Sequence, residues 1–62
     1  MEIADRILST AENLFMEYGV KSITMDDIAR KIAISKKTIY QFFRDKDSLI
    51  LEVTKNHLIK SY

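Results

Sequence analysis

Cysteine, proline and tryptophan are absent from the 62-residue chain, and glycine and histidine each occur once. Without cysteine there is no disulfide to staple the fold and no thiolate zinc site. His57 alone cannot build a multi-histidine metal site, so no metal and no cofactor are expected. The missing proline and the single glycine favour helices with short connections over a many-turned β fold. No apolar run approaches the roughly 18 residues that a membrane span requires. The opening stretch MEIADRILSTAE carries acids and lacks a continuous apolar segment, so a signal peptide is not expected there. There is no phosphate-binding glycine loop, no cysteine nucleophile and no second histidine, so an enzyme is not expected. A reducing, cytoplasmic location is the expectation. A chain this short makes one domain at most and buries only about 60% of its unfolded surface, so its stability is marginal.

What the chain does have is an uneven distribution of charge beneath a net of +1. Residues 1–19 hold one base, Arg6, against four acids, Glu2, Asp5, Glu12 and Glu17. Residues 20–47 hold seven bases, Lys21, Arg30, Lys31, Lys36, Lys37, Arg44 and Lys46, against four acids, Asp26, Asp27, Asp45 and Asp47. Positive charge collects in the middle, which gives a local surface able to attract polyanions.

Hydrophobic periodicity places the helices. Ile3, Ile7, Leu8, Ala11, Leu14, Phe15 and Tyr18 recur in steps of three and four, the stripe of an amphipathic helix from about Glu2 to Tyr18. Gly19 follows it, where a left-handed cap favours glycine. After the link Val20-Lys21-Ser22-Ile23, Thr24 and Asp27 have the spacing of a capping box. Met25, Ile28, Ala29 and Ile32 then line one face of a short helix over 25–32. Ala33 and Ile34 break it. Ser35 is the next N-cap, opening a helix through Phe43 with Ile39 and Phe43 on one face. Asp45 caps a last helix running from Lys46 to near the end. That helix carries a stripe of Leu49 and Val53 and a second, separate one of Leu51, Leu58, Ile59 and Tyr62.

Two short helices joined by a tight turn, with bases at the start of the second, form a helix-turn-helix pattern. A helix of about 8 residues spans roughly 12 Å and fits a major groove about 12 Å wide. Its N-terminal residues face base edges. Here that end holds Ser35, Lys36, Lys37 and Thr38, all hydrogen-bond donors and two of them cationic.

The run ITMDDIARKIAISKKTIYQFFRDKDSL, together with RILSTAENLFMEYG before it, resembles the signature of TetR-type transcriptional regulators over roughly residues 3–53. Several features keep register at once: Phe15 before Gly19, Thr24 before Ile28-Ala29, Ser35 before Ile39-Tyr40, and Phe43 before Lys46 and Leu49. The resemblance implies an all-α fold, a three-helix DNA-binding bundle plus a fourth linking helix. It implies that Lys36, Lys37 and Thr38 face bases or the groove edge, and that Thr24, Tyr40 and Lys46 hold phosphates. Ile28, Ala29, Ile32, Ile34, Ile39, Phe43 and Leu49 would form the core with the first helix. Residues 1–47 would be the DNA-binding domain, and 48–62 the start of a linking helix towards a ligand-binding and dimerisation domain absent from this chain. The implied partners are double-stranded DNA at a palindromic operator, a second copy in the full-length protein, and a small-molecule effector bound by the absent domain. The implied role is that of a repressor.

Two positions depart from that pattern. Ala33 stands where the family usually has glycine; a left-handed conformation costs alanine about 1–2 kcal/mol, so a slightly different turn is expected. Phe42 stands where the family often has histidine or tyrosine, and it cannot donate to a phosphate. Plainer readings apply elsewhere. Thr24 is first a helix cap. Tyr40 also suits the core edge. Lys21, Arg30, Lys31 and His57 read as solvated surface, and the Asp26-Asp27 and Asp45-Asp47 pairs as helix-start acids rather than a metal or acid–base site. The rival to DNA binding is a small helical interaction module using the second stripe of the last helix.

Overall fold

The computed structural model describes the backbone of residues 2–60 and the side chains through Lys55. Four helices follow in order: α1 (Ile3–Tyr18), α2 (Met25–Ile32), α3 (Lys36–Phe42) and α4 (Lys46–Lys60). A 3₁₀ turn, Val20–Ser22, lies between α1 and α2. The link expected there is thus a single tight turn, with Ser22 N–H donating to Gly19 O at 3.2 Å.

The α1 stripe supplies one wall of the core. Ile7, Ala11 and Phe15 are buried, and Ile3, Leu8 and Leu14 pack against them. Ile28 and Ala29 from α2, Ile39 from α3, Phe43, and Leu49 and Val53 from α4 close the remaining sides. Ile32 and Ile34, expected inside, are only partly buried and pack on the rim of the cluster. Among the described residues no polar or charged side chain is buried.

Tyr18, the last member of the α1 stripe, departs from its expected place: it is exposed and borders an open groove with Leu14, Ile23 and Arg30. Ile23 and Met25 take buried places instead. Ile23 precedes the N-cap Thr24, and Ile28 lies at the fourth helical position. A staple between those two positions fixes the angle at which a chain enters a helix.

The helix ends explain the turns. Gly19 has φ 91° and ψ 146°, positive as expected but outside the left-handed helical well; the region is accessible essentially to glycine alone. Its N–H donates to Phe15 O at 2.8 Å. Ala33 does adopt the left-handed conformation, φ 61° and ψ 44°, contrary to the altered turn expected from its side chain. Its N–H donates to Arg30 O, and Ile34 N–H reaches back to Ala29 O at 3.0 Å. These two bonds make the Schellman closure that glycine normally permits. They satisfy carbonyls that would otherwise be orphaned, which holds alanine there despite its strain. Phe43 falls just outside α3: its backbone turns extended (φ −133°, ψ 120°) while its ring stays buried.

Of the second α4 stripe, Leu51 is exposed, and Leu58, Ile59 and Tyr62 lie outside the residues whose side chains are described.

Candidate nucleic-acid interface

The candidate residues sit at three helix starts, except Tyr40, which lies further along α3. Thr24 caps α2 through a full capping box: Asp27 N–H donates to Thr24 Oγ1 at 3.1 Å, and Thr24 N–H donates to Asp27 Oδ2 at 2.8 Å. Arg30 adds a 2.7 Å contact to the other Asp27 oxygen. The Thr24 amide and hydroxyl, followed by Arg30, hold the Asp27 carboxyl below the usual carboxylate range. Asp45 does the same for α4, accepting from Ser48 N–H at 2.8 Å; that amide, with the Ser48 hydroxyl and Arg44, lowers its pKa. Both carboxylates are therefore committed to helix starts.

Ser35 caps α3. Its Oγ accepts from Thr38 N–H at 3.2 Å and lies 2.9 Å from Thr38 Oγ1. Ile39 is fully buried and Phe43 nearly so, which locks one side of α3 into the core. The periodicity of a helix then fixes what faces out. Lys37 and Gln41 lie opposite Ile39, Lys36 and Tyr40 share one flank, and Thr38 and Phe42 share the other. Lys36, Lys37, Tyr40, Gln41 and Phe42 are all exposed, and Thr38 is half-buried.

The two lysines are not equivalent. Lys36 Nζ lies 3.6 Å from Asp26 Oδ1 on the first turn of α2, an exposed pair that partly offsets its charge. Lys37 makes no ion pair or hydrogen bond among the described residues. Lys46 is also engaged: its Nζ donates to the Val20 carbonyl at 2.7 Å, tying the start of α4 to the turn before α2. An ammonium carries three protons, so two remain for other acceptors. Tyr40 is 45% exposed, so part of its side chain is covered and part meets solvent.

Sequence reasoning passed over Gln41, although its spacing of four from Lys37 places it on the same outward face. Neither the Lys46–Val20 bond nor the Asp26–Lys36 pair has a local signature, because each joins residues distant in sequence.

A short helix locked by two apolar anchors, capped by serine and joined through a left-handed turn to a second capped helix, defines a helix-turn-helix DNA-binding domain. Residues 7–53 match the family described as bacterial regulatory proteins, tetR family. The chain belongs to that family, whose members are DNA-binding regulators and not enzymes. It is 42% identical over 53 residues to the HTH-type transcriptional regulator HbdR of Aromatoleum sp. (strain CIB), covering 86% of this chain and 23% of that protein. It is 38% identical over 58 residues to an HTH-type transcriptional regulator of Staphylococcus aureus (strain bovine RF122 / ET3-1), covering 94% and 31%. It is 40% identical over 47 residues to the uncharacterized HTH-type transcriptional regulator YhgD of Bacillus subtilis (strain 168), covering 76% and 25%. The chain thus spans between 23% and 31% of the length of these relatives. No solved structure matches it. Among the described residues, no helix is long and apolar enough to cross a membrane.

Proposed function

We propose that this domain is the operator-reading head of a cytoplasmic transcriptional repressor. The observation that carries the reading is α3 itself. Ile39 and Phe43 fix it in the core, and Lys36, Lys37, Thr38, Tyr40 and Gln41 stand outside it. A helix of seven residues is about 10 Å long and fits within a major groove about 12 Å wide. Lys37, unpaired and opposite the core, is the residue to read a guanine edge, whose O6 and N7 accept hydrogen bonds. Ser35, Lys36 and Thr38 border the same groove. Thr24, Tyr40 and the free protons of Lys46 take backbone phosphates on either side.

Residues 1–47 form the head, and 48–62 begin the linking helix, with Leu49 and Val53 attaching that helix to the head. The whole protein is a homodimer on a palindromic operator, its heads spaced about 34 Å apart, one turn of DNA. A small-molecule effector bound by a further helical domain controls it. The relatives' greater length supports such a domain.

Fluorescence anisotropy of the chain on mixed-sequence duplex at low salt tests the reading. A binding constant whose logarithm falls linearly with log salt is expected. No binding at any salt, with the fold intact by circular dichroism, would favour an interaction module instead. The surface for such a module would then be the groove lined by Phe15, Met16, Val20, Ile50 and Val53, which is separate from the second α4 stripe.

A further inference from the structure

Of the exposed side chains of α3, Phe42 alone carries no polar atom, yet half of its surface meets solvent. Lys36, Lys37, Tyr40 and Gln41 all end in groups that water or DNA can hydrogen-bond. Phe42 has nothing to offer a phosphate oxygen or a polar base edge. It shares its flank with Thr38, one turn earlier, where side chains four apart stand about 5–6 Å from each other. The Thr38 hydroxyl shares a hydrogen bond with Ser35 Oγ at 2.9 Å, and beside it the residue carries a methyl. The exposed ring of Phe42 makes this the most apolar flank of an otherwise polar helix, and it adjoins the surface assigned above to the major groove.

The base edges in that groove are read chiefly through hydrogen-bond donors and acceptors, and the one alkyl group they present is the C5-methyl of thymine. We infer that Phe42, with the Thr38 methyl beside it, is a specificity-determining residue that selects thymine by packing on that methyl. The inference rests on the reading of α3 as the recognition helix. Seating the methyl removes apolar surface of both partners from water, which favours thymine over the other bases without any hydrogen bond. The deoxyribose is the competing apolar surface on DNA. Contact with it would carry no sequence preference, because every nucleotide presents the same sugar.

The test begins with duplexes selected by the chain from a random double-stranded pool. In the best of them each thymine is replaced in turn by deoxyuridine, which removes the methyl and changes no hydrogen-bonding group. At one thymine per half-site the replacement is expected to weaken binding about fourfold, the worth of one methyl-sized apolar group. Phe42→Ala should bind the thymine and deoxyuridine duplexes equally at that position. Phe42→Leu, which keeps an apolar side chain, should retain part of the preference. If the native chain binds selectively yet no deoxyuridine replacement matters, the inference falls while the recognition-helix reading stands. If a methyl effect persists undiminished in Phe42→Ala, another residue reads the methyl and the inference falls too. If no duplex is selected at all, both readings fall together.

Discussion

The ammonium of Lys46 donates to the carbonyl of Val20 at 2.7 Å, across 26 residues of sequence. The bond pins the first residue of α4 to the 3₁₀ turn that leads into α2. A lysine read from sequence as a phosphate contact is therefore also a strut within the domain, and the two roles separate experimentally. Lys46→Ala should lower stability by about 1 kcal/mol, the net worth of one hydrogen bond. It should also reduce the log–log salt slope of DNA binding by about 1, one phosphate contact fewer. Thermal melting and a salt titration of the same variant measure both. A loss of stability with an unchanged slope would leave Lys46 a strut alone.

The unequal lysines of α3 give a second expectation. Lys37→Ala should relax preference at one base pair and cost about 1–3 kcal/mol on the best site. Lys36→Ala should weaken binding more evenly across sequences. Asp26→Asn removes the acid 3.6 Å from Lys36 and should strengthen binding to every duplex. Competition assays on a panel of single-base variants of the selected site separate these outcomes. A sequence-independent loss in Lys37→Ala would transfer it to the phosphate contacts.

Two backbone positions predict opposite responses to opposite substitutions. Ala33→Gly relieves about 1–2 kcal/mol of left-handed strain and loosens the unfolded chain by about 0.4–1 kcal/mol. The net lies between about zero and about 1.6 kcal/mol of stabilisation, a rise of up to several degrees in Tm for a domain of this size. Gly19→Ala introduces a Cβ that meets nothing within 4 Å, so any cost is conformational. At φ 91° that cost should be about 1–3 kcal/mol. Differential scanning calorimetry of the pair is the check, and a neutral Gly19→Ala would show that the turn relaxes into another shape.

Acid should act through the helix starts. Asp27 and Asp45 both have pKa values below their ordinary range, set first by the Thr24 and Ser48 amides. A carboxyl held lower in the folded state than in the unfolded one stabilises the fold above its unfolded pKa of about 3.9. That contribution disappears as pH falls through the folded value. These two groups should therefore support the melting temperature at neutral pH and make it fall with pH only as the medium approaches and passes below about pH 4. The double variant Asp27→Ala, Asp45→Ala should melt lower at neutral pH and lose less between pH 5 and pH 2. A parallel loss in native and variant chains would place the acid sensitivity elsewhere.

The parts of this fold legible in the sequence are those governed by local rules. The steps of three and four in α1, the Thr24 box and the Ser35 cap each involve residues within one or two turns, and α2 has the expected bounds, Met25–Ile32. The rest depended on relations between elements. Tyr18 continues the α1 stripe, but the core closes around Phe15 and leaves its ring at a groove. Ile23 lies in a turn by pattern and in the core by its place before a cap. Ala33 is the reverse case: its side chain argued for a changed turn, and two backbone hydrogen bonds outweighed it. In the interface, residue types and helix phase marked Lys36, Lys37 and Thr38 as outward-facing. Which lysine is free could not be read without the position of Asp26.

A core built wholly from apolar side chains has a further consequence. Hydrophobic contact is non-directional, so it favours compaction more than any one arrangement. With no buried polar group among the described residues, the directional interactions sit at the rim: the caps at Thr24, Ser35 and Asp45, the closure at Ala33, and the Lys46 strut. Acid that protonates Asp27 and Asp45 therefore loosens the starts of α2 and α4 first, while the Ser35 cap, the Ala33 closure, the Lys46 strut and the apolar core, which hold no carboxylate, persist. In this domain the shape of the surface proposed to read DNA is set at its edges, and its centre supplies only the pull.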